Sequence, residues 1–232
     1  MKIFHTSDYI LLSFSHPLRT LSSSVFNGGF TRAENIVNLK TTAQVILNNA
    51  PETLIQAFIK EKNISQLTVG LLTAAPMKYA QFVLRTERDI SVLAVVTAGV
   101  SNALNISERT KTPYSGESVT NPGTINIIVI TNANLLEDCM VSSIIGATEA
   151  KAAALFDLNV KSVITGNQAT GTGTDSIVIV SGTGDKKIQY AGGHTLYGQL
   201  LGDTVYTAVK SSLSKKLTEK LDFNRLCAPF GF

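Results

Sequence analysis

The sequence predicts an α/β (or α+β) fold: a single domain, residues 1–232, built on a mixed β-sheet with an N-terminal β-meander and helices packed on it. Three observations predict this. Residues 9 to 39 alternate short apolar runs with turn signals. Later apolar runs of strand length alternate with longer stretches of helical period. No shift in composition marks a linker, and no repeat with a clean period appears. Apolar residues make up 44% of the 232, enough for a full core without disulfides.

The elements follow in order. Tyr9–Ser15 is a strand, and His16-Pro17 marks a turn because proline fixes φ and lacks an N–H. Leu21, Ser23 and Val25 alternate with Ser22 and Ser24 in a second strand. Asn27-Gly28-Gly29 turns the chain, and Ile36, Val37 and Leu39 make a third. Pro51 opens a helix carrying Leu54, Ile55, Phe58 and Ile59. Leu67–Leu72 and Val92–Thr97 are buried strands rich in β-branched residues, with a short helix over Pro76–Phe82 between them. Residues 105 to 122 form the most polar stretch, a loop of the kind that often carries function. Ile125–Thr131 is the clearest buried strand, and Asn134 to Leu158 reads as a long, mostly apolar helix. A Gly/Thr loop over 166–173 leads into the strand Ser176–Ser181. In the last helix Tyr197, Leu201, Val205, Val209, Leu213 and Leu217 keep i,i+4 spacing.

Charge and cysteine content narrow the function classes. A net charge of +3 is too small and too scattered for nucleic-acid binding; the one basic cluster, Lys210, Lys215, Lys216 and Lys220, reads as a solvated helix face. Cys139 lies in an apolar run and Cys227 near the end, without the paired spacing of a zinc site or a disulfide framework. No run approaches the roughly 20 apolar residues of a membrane span, and the cytoplasm is the expected location.

Ala169-Thr170-Gly171-Thr172-Gly173-Thr174-Asp175-Ser176 is the most informative segment. Its glycines let backbone N–H groups converge, and its carboxylate can orient a water or a hydroxyl; a tight turn with satisfied side chains accounts for the same residues. A phosphate loop is excluded, because Thr172-Gly173 stands where Lys-Ser/Thr is required and a strand follows. His194 follows Gly192-Gly193 at the start of a helix, where the positive helix end favours the neutral imidazole of a base; a capping or core role is the alternative. Glu149 shares a helical row with Val141 and Ile145, a setting for a general acid or base, or for a buried ion pair with a nearby Lys or Arg. Ser101-Asn102 follows a strand and is a source of an oxyanion donor, although no nucleophile elbow surrounds Ser101. Asn27 and Asn132 sit beside turns or strand ends, within reach of a ligand.

Seven ordered blocks then resemble one family. They are Asn27–Gly29 with Asn35–Leu39, then Val69–Ala75, Thr97–Ala103, Gly123–Ile128, Ala147–Lys151, Ala169–Asp175 and Tyr190–Thr195. Together, over roughly residues 20 to 210, the chain resembles the adenosylcobinamide amidohydrolases. The resemblance implies hydrolysis of the amide that joins aminopropanol to the corrin periphery, with adenosylcobyric acid as product and corrinoid salvage as the role. The corrinoid is then the substrate, and no separate cofactor or metal is implied. It points to His194, Asp175 and Glu149 as catalytic, with Asp175 or Glu149 activating water and His194 passing a proton to the leaving amine. Asn27, Ser101, Asn102, Thr170, Gly171, Thr172, Gly173 and Thr174 would bind substrate. A threonine nucleophile among Thr170, Thr172 and Thr174 is the alternative. A corrinoid-binding protein without catalysis and a metal-dependent amidase using His194, Asp175 and Glu149 are competing readings. Self-association as a homo-oligomer is compatible with all of them.

Overall fold

The computed structural model describes residues 1–109, 123–218 and 221–232. Strands β1 (Lys2–His5), β2 (Tyr9–Ser22) and β3 (Gly29–Lys40) come first, followed by helices α1 (Ala43–Asn48) and α2 (Pro51–Lys62) and strand β4 (Thr68–Thr73). A 3₁₀ turn (Met77–Tyr79) precedes β5 (Gln81–Glu87), β6 (Ile90–Ala98) and the short β7 (Ala103–Leu104). Then come β8 (Ile125–Thr131), β9 (Asn134–Leu135) and α3 (Glu137–Asp157). The chain ends with β10 (Gly171–Thr172), β11 (Ser176–Val180), β12 (Lys187–Ile188), α4 (Leu196–Leu213) and α5 (Phe223–Cys227).

The main sheet runs β4-β3-β2-β11-β8-β6-β5, with β1 added beside β2. β1, β2 and β3 are consecutive and antiparallel; the meander expected over residues 9–39 has two strands there, β2 and β3, and gains β1 before them. Two parallel pairs, β3/β4 and β8/β11, each need a crossover, supplied by α2 and α3.

Strand boundaries correct the sequence reading at one informative place. His16-Pro17 makes no turn: β2 continues through it, and the register against β3 shifts between Ser13 and Leu18. A bulge tolerates a proline that cannot donate to the ladder, and it bends the strand. β2 therefore serves two neighbourhoods. Its first part pairs with β1 over Ile10–Ser13, and its last part pairs with β11 over Thr20–Ser22.

Burial shows what the bend achieves. Val92, Ala94 and Val96 of β6, Ile127 and Val129 of β8 and Ile177 and Ile179 of β11 face α3 and α4. Leu93, Val95, Ile128, Ile130, Val178 and Val180 point the other way and pack on Ile10, Leu12, Ile36, Val69 and Leu71 of β2, β3 and β4. Strands far apart in the pairing order thus meet face to face. α2 covers the outer side of the β3/β4 part through Ile55, Phe58 and Ile59, against Leu11 and Val37. The result is helix, sheet, sheet, helix, with the inner apolar layer closed by Phe230 and Phe232.

Other expectations change in detail. β1 and β5 were not foreseen. The apolar stripe of α4 is buried from Tyr197 to Val209, but the helix stops at Leu213 and Leu217 is exposed. α3 is long and apolar enough by composition to cross a membrane, yet Cys139, Met140, Ala147, Ala154 and Leu155 are buried in the core. The stretch 105–122 lies outside the described residues from 110 onward.

Candidate active site

Three loops meet beside the start of β8. Gly171–Thr172 (β10) pairs with Ala103–Leu104 (β7), bringing the Gly/Thr segment against the loop 99–102. Thr174 Oγ1 donates to the Gly123 carbonyl at 3.0 Å, and Thr124 Oγ1 donates back to the Thr174 carbonyl at 2.8 Å. Gly99 N–H donates to the Thr124 carbonyl at 3.0 Å. The three loops are thus stitched together by backbone carbonyls.

Asp175 is at the centre. Its Oδ1 accepts from Thr172 Oγ1 and from the Ile125 N–H at 3.0 Å. Its Oδ2 accepts from the Thr172 N–H at 3.0 Å and from Lys151 Nζ at 2.5 Å. Both charged side chains are largely buried, with 8% of Lys151 and 12% of Asp175 exposed. A Cβ on Gly171 would lie 2.5 Å from Asp175 Oδ2 and 2.8 Å from Lys151 Nζ, so only glycine leaves room for the pair. The sequence offered a buried ion pair as the alternative role for Glu149; the structure gives that pair to Lys151 and Asp175. Lys151 was not among the candidates, although the signal was present: it occupies the row Ser143, Ala147, Lys151, Leu155, which the helix buries.

Asn102 adjoins β7 and is half-buried. Its Oδ1 is buried without a hydrogen-bond partner among the described residues, and a buried acceptor left open is costly unless something else fills it. Gly123 lies directly against it: a Cβ there would sit 2.2 Å from Asn102 Oδ1 and 2.9 Å from Ser101 Oγ. The sequence cast Asn102 as an oxyanion donor; the open atom is an acceptor. The Thr172 N–H, in the segment whose backbone N–H groups were expected to converge, is already committed to Asp175.

Behind these loops lies a polar layer that the sequence did not reveal as a unit. Asn38 Nδ2 donates to Thr97 Oγ1 at 2.9 Å, and Asn126 Nδ2 donates to Asn38 Oδ1 at 2.9 Å and to the Leu72 carbonyl at 2.8 Å. Thr73 Oγ1 accepts from Thr97 at 3.4 Å, and Thr124 Oγ1 lies 3.3 Å from Asn126 Oδ1. Asn38, Thr73, Thr97 and Asn126 are each 1% exposed. They replace apolar side chains at inward positions of four strands and tie the two sheet layers together under the loop site.

The remaining candidates lie elsewhere. Thr170 Oγ1 accepts from the Ile106 N–H at 3.0 Å, a loop-fixing role, and Gly173 packs near Leu104. Asn27 takes a left-handed conformation, and its Nδ2 donates to the Thr68 carbonyl at 2.8 Å, latching a turn to the start of β4; Thr73 is five residues further on, about 17 Å of strand. Asn132 binds the Ser91 N–H and the Asp89 carbonyl at the far end of β8. Glu149 is exposed and lines a groove of about 670 Å³ between α3 and α4, together with Gly192 and Gly193. His194 is exposed beside that groove, its ring next to Gly192; the helix cap is Thr195, whose Oγ1 accepts from the Gly198 N–H. Glu149 and His194 therefore share one surface. Lys151, two residues on, points about 200° around α3 from Glu149, so Asp175 and Glu149 work on opposite sides of that helix.

The family model for adenosylcobinamide amidohydrolase (CbiZ) matches residues 1–220. The adenosylcobinamide amidohydrolase of Methanosarcina mazei is 32% identical over 200 residues, covering 82% of this chain and 88% of that protein. An uncharacterized protein of Methanocaldococcus jannaschii, MJ1613, is 36% identical over 176 residues, 68% of this chain and 66% of its own length. Among solved structures, a beta-aminopeptidase from a Burkholderia species aligns with a TM-score of 0.46 at 12% identity, over 98% of this chain and 88% of that one. The PH0078 protein of Pyrococcus horikoshii aligns with a TM-score of 0.43 at 11% identity, over 92% and 79%.

Proposed function

The chain belongs to the family of adenosylcobinamide amidohydrolases, and from that premise we propose that it hydrolyses the amide joining aminopropanol to the corrin periphery of adenosylcobinamide, giving adenosylcobyric acid for return to coenzyme B12. The observation that carries this reading is the family match along residues 1–220.

The loop site offers what a neutral amide requires: an activated nucleophile, a held substrate amide and a proton for the departing amine. Asp175 is the proton acceptor, fixed by Lys151 and two backbone N–H groups. Asn102 Oδ1, open and buried, accepts the N–H of the scissile amide and so fixes its plane. Ser101 and Gly173 lie on the rim and contact the substrate.

A second reading rests on Glu149 lining the α3–α4 groove with Gly192, against which the His194 ring lies. There the carboxylate would activate water and the imidazole would protonate the amine. The same assay separates the two: incubation with adenosylcobinamide, with mass analysis of the corrinoid and measurement of free aminopropanol. The loop-site reading expects Asp175→Asn and Asn102→Ala to lose at least about a hundredfold in turnover, while Glu149→Gln and His194→Gln stay within a few-fold of the parent. The reverse pattern assigns the chemistry to the groove. Unchanged substrate with the parent protein would sink the reaction itself.

A further inference from the structure

Three threonines flank Asp175 in the Gly/Thr segment, and their hydroxyls differ in what they face. Thr174 Oγ1 gives its proton to the Gly123 carbonyl, which cannot keep it. Thr170 Oγ1 accepts from the Ile106 N–H, at the loop side of β7. Thr172 Oγ1 donates to a carboxylate oxygen, Asp175 Oδ1, while Lys151 Nζ holds the other oxygen at 2.5 Å. Thr172 also pairs with Ala103, the chain neighbour of Asn102, which puts its strand beside the residue that carries the open acceptor.

We infer that the Thr172 hydroxyl is the nucleophile, with Asp175 as its proton acceptor and Lys151 as the positioning residue that holds the carboxylate in register. This rests on the corrinoid-amide reading above. In the first step Thr172 Oγ1 bonds to the amide carbon as its proton passes to Asp175 Oδ1. Asp175 then gives that proton to the amide nitrogen, the C–N bond breaks and aminopropanol departs, leaving the corrinoid acyl group as an ester on Thr172. In the second step water adds to the ester, losing a proton to Asp175. The C–Oγ1 bond breaks, Thr172 Oγ1 takes the proton back and the corrinoid acid is released. Lys151 takes no part in the proton transfers. Hydroxyl nucleophiles served by an adjacent base follow this two-step course.

The test begins with the parent protein quenched during turnover of adenosylcobinamide and digested, with mass analysis of the peptide containing Thr172. The expected result is a corrinoid acyl adduct on that peptide, with Thr172→Ser retaining both turnover and adduct. Thr172→Val, which keeps the shape and removes the hydroxyl, is expected to lower aminopropanol release by at least about a thousandfold while still binding the corrinoid, as read by the corrin absorbance retained after gel filtration. Binding by this variant shows that it has folded. Aminopropanol release by Thr172→Val within about tenfold of the parent would overturn the proposal and leave Asp175 acting directly on water. Parent protein that releases no aminopropanol would overturn the functional reading, and the proposal with it.

Discussion

Lys151 and Asp175 form a pair whose members are each costly without the other. Taking one charge from a buried pair leaves the second without compensation, typically at about 3–5 kcal/mol. Lys151→Met and Asp175→Asn are each expected to lose about that much in urea denaturation, and the double substitution less than the sum, because no charge is then stranded. Cys139 gives a second test at this scale. Burial pushes its thiol up to about 11, against a smaller opposing hydrogen bond with Ser143. Above an unfolded thiol value of about 8.5 the folded chain holds the proton that the unfolded chain has lost. Stability is therefore expected to fall as pH rises from about 8.5 through about 11. Denaturation midpoints of the parent and Cys139→Ala, compared across that range, read the effect: their difference should change only there.

At the scale of elements, the asparagines joining β3, β6 and β8 do what an apolar layer cannot. An asparagine in an inward row commits its amide to particular partners, so it fixes how the two sheet layers meet, whereas valine or isoleucine packs in several ways. Asn126→Ala would leave Asn38 Oδ1 and the Leu72 carbonyl without their donor. The expected cost is about 1–3 kcal/mol for each stranded group, measured by thermal or urea denaturation. α4 meets its preceding loop as closely. A Cβ on Gly198 would fall 2.2 Å from the Gly192 carbonyl oxygen and 2.4 Å from that of Ala191. Gly198→Ala must push that loop away from the helix, with an expected loss of about 1–3 kcal/mol. If the groove lined by Glu149 and Gly192 is the reacting surface, Gly198→Ala also lowers turnover; if the loops around Asp175 are, turnover survives at temperatures where the variant stays folded.

For the whole molecule, the decisive feature is a single sheet folded on itself, which encloses an inner apolar layer edged by Phe223 and Leu226 of α5. The layer closes at its edge through Phe230 and Phe232, which are 3% and 4% exposed, with Phe232 set edge-on to Phe14 at 5.9 Å between ring centroids. Phe232→Ala opens a cavity against Phe14 and Phe230, and the expected loss is about 3–5 kcal/mol, seen as an earlier denaturant midpoint. Neither phenylalanine belongs to the loops around Asp175, so if those loops carry the chemistry, turnover per folded molecule should be unchanged.

The sequence by itself determined the elements whose signal is local. Ile125–Thr131 reads as strand because its β-branched run is short and bounded, and Pro51 opens α2 because a first-turn proline loses no hydrogen bond. Asp175 and the Gly/Thr segment were legible for the same reason, since a carboxylate among glycines and hydroxyls is a pattern within eight residues. Tertiary structure decided the rest, where the partner lies far along the chain. His16-Pro17 carries the same local mark whether it turns the chain or bulges a strand, and only the strands that pair with β2 on either side of it select the bulge. Lys151 reads as one more polar residue on an alanine-rich helix until Asp175, twenty-four positions on, stands opposite it. Asn38 and Asn126, eighty-eight positions apart, become one network only when the sheet folds over. Hydrogen bonds and ion pairs between distant segments depend on where the fold puts their partners, and periodicity, being local, carries no record of that.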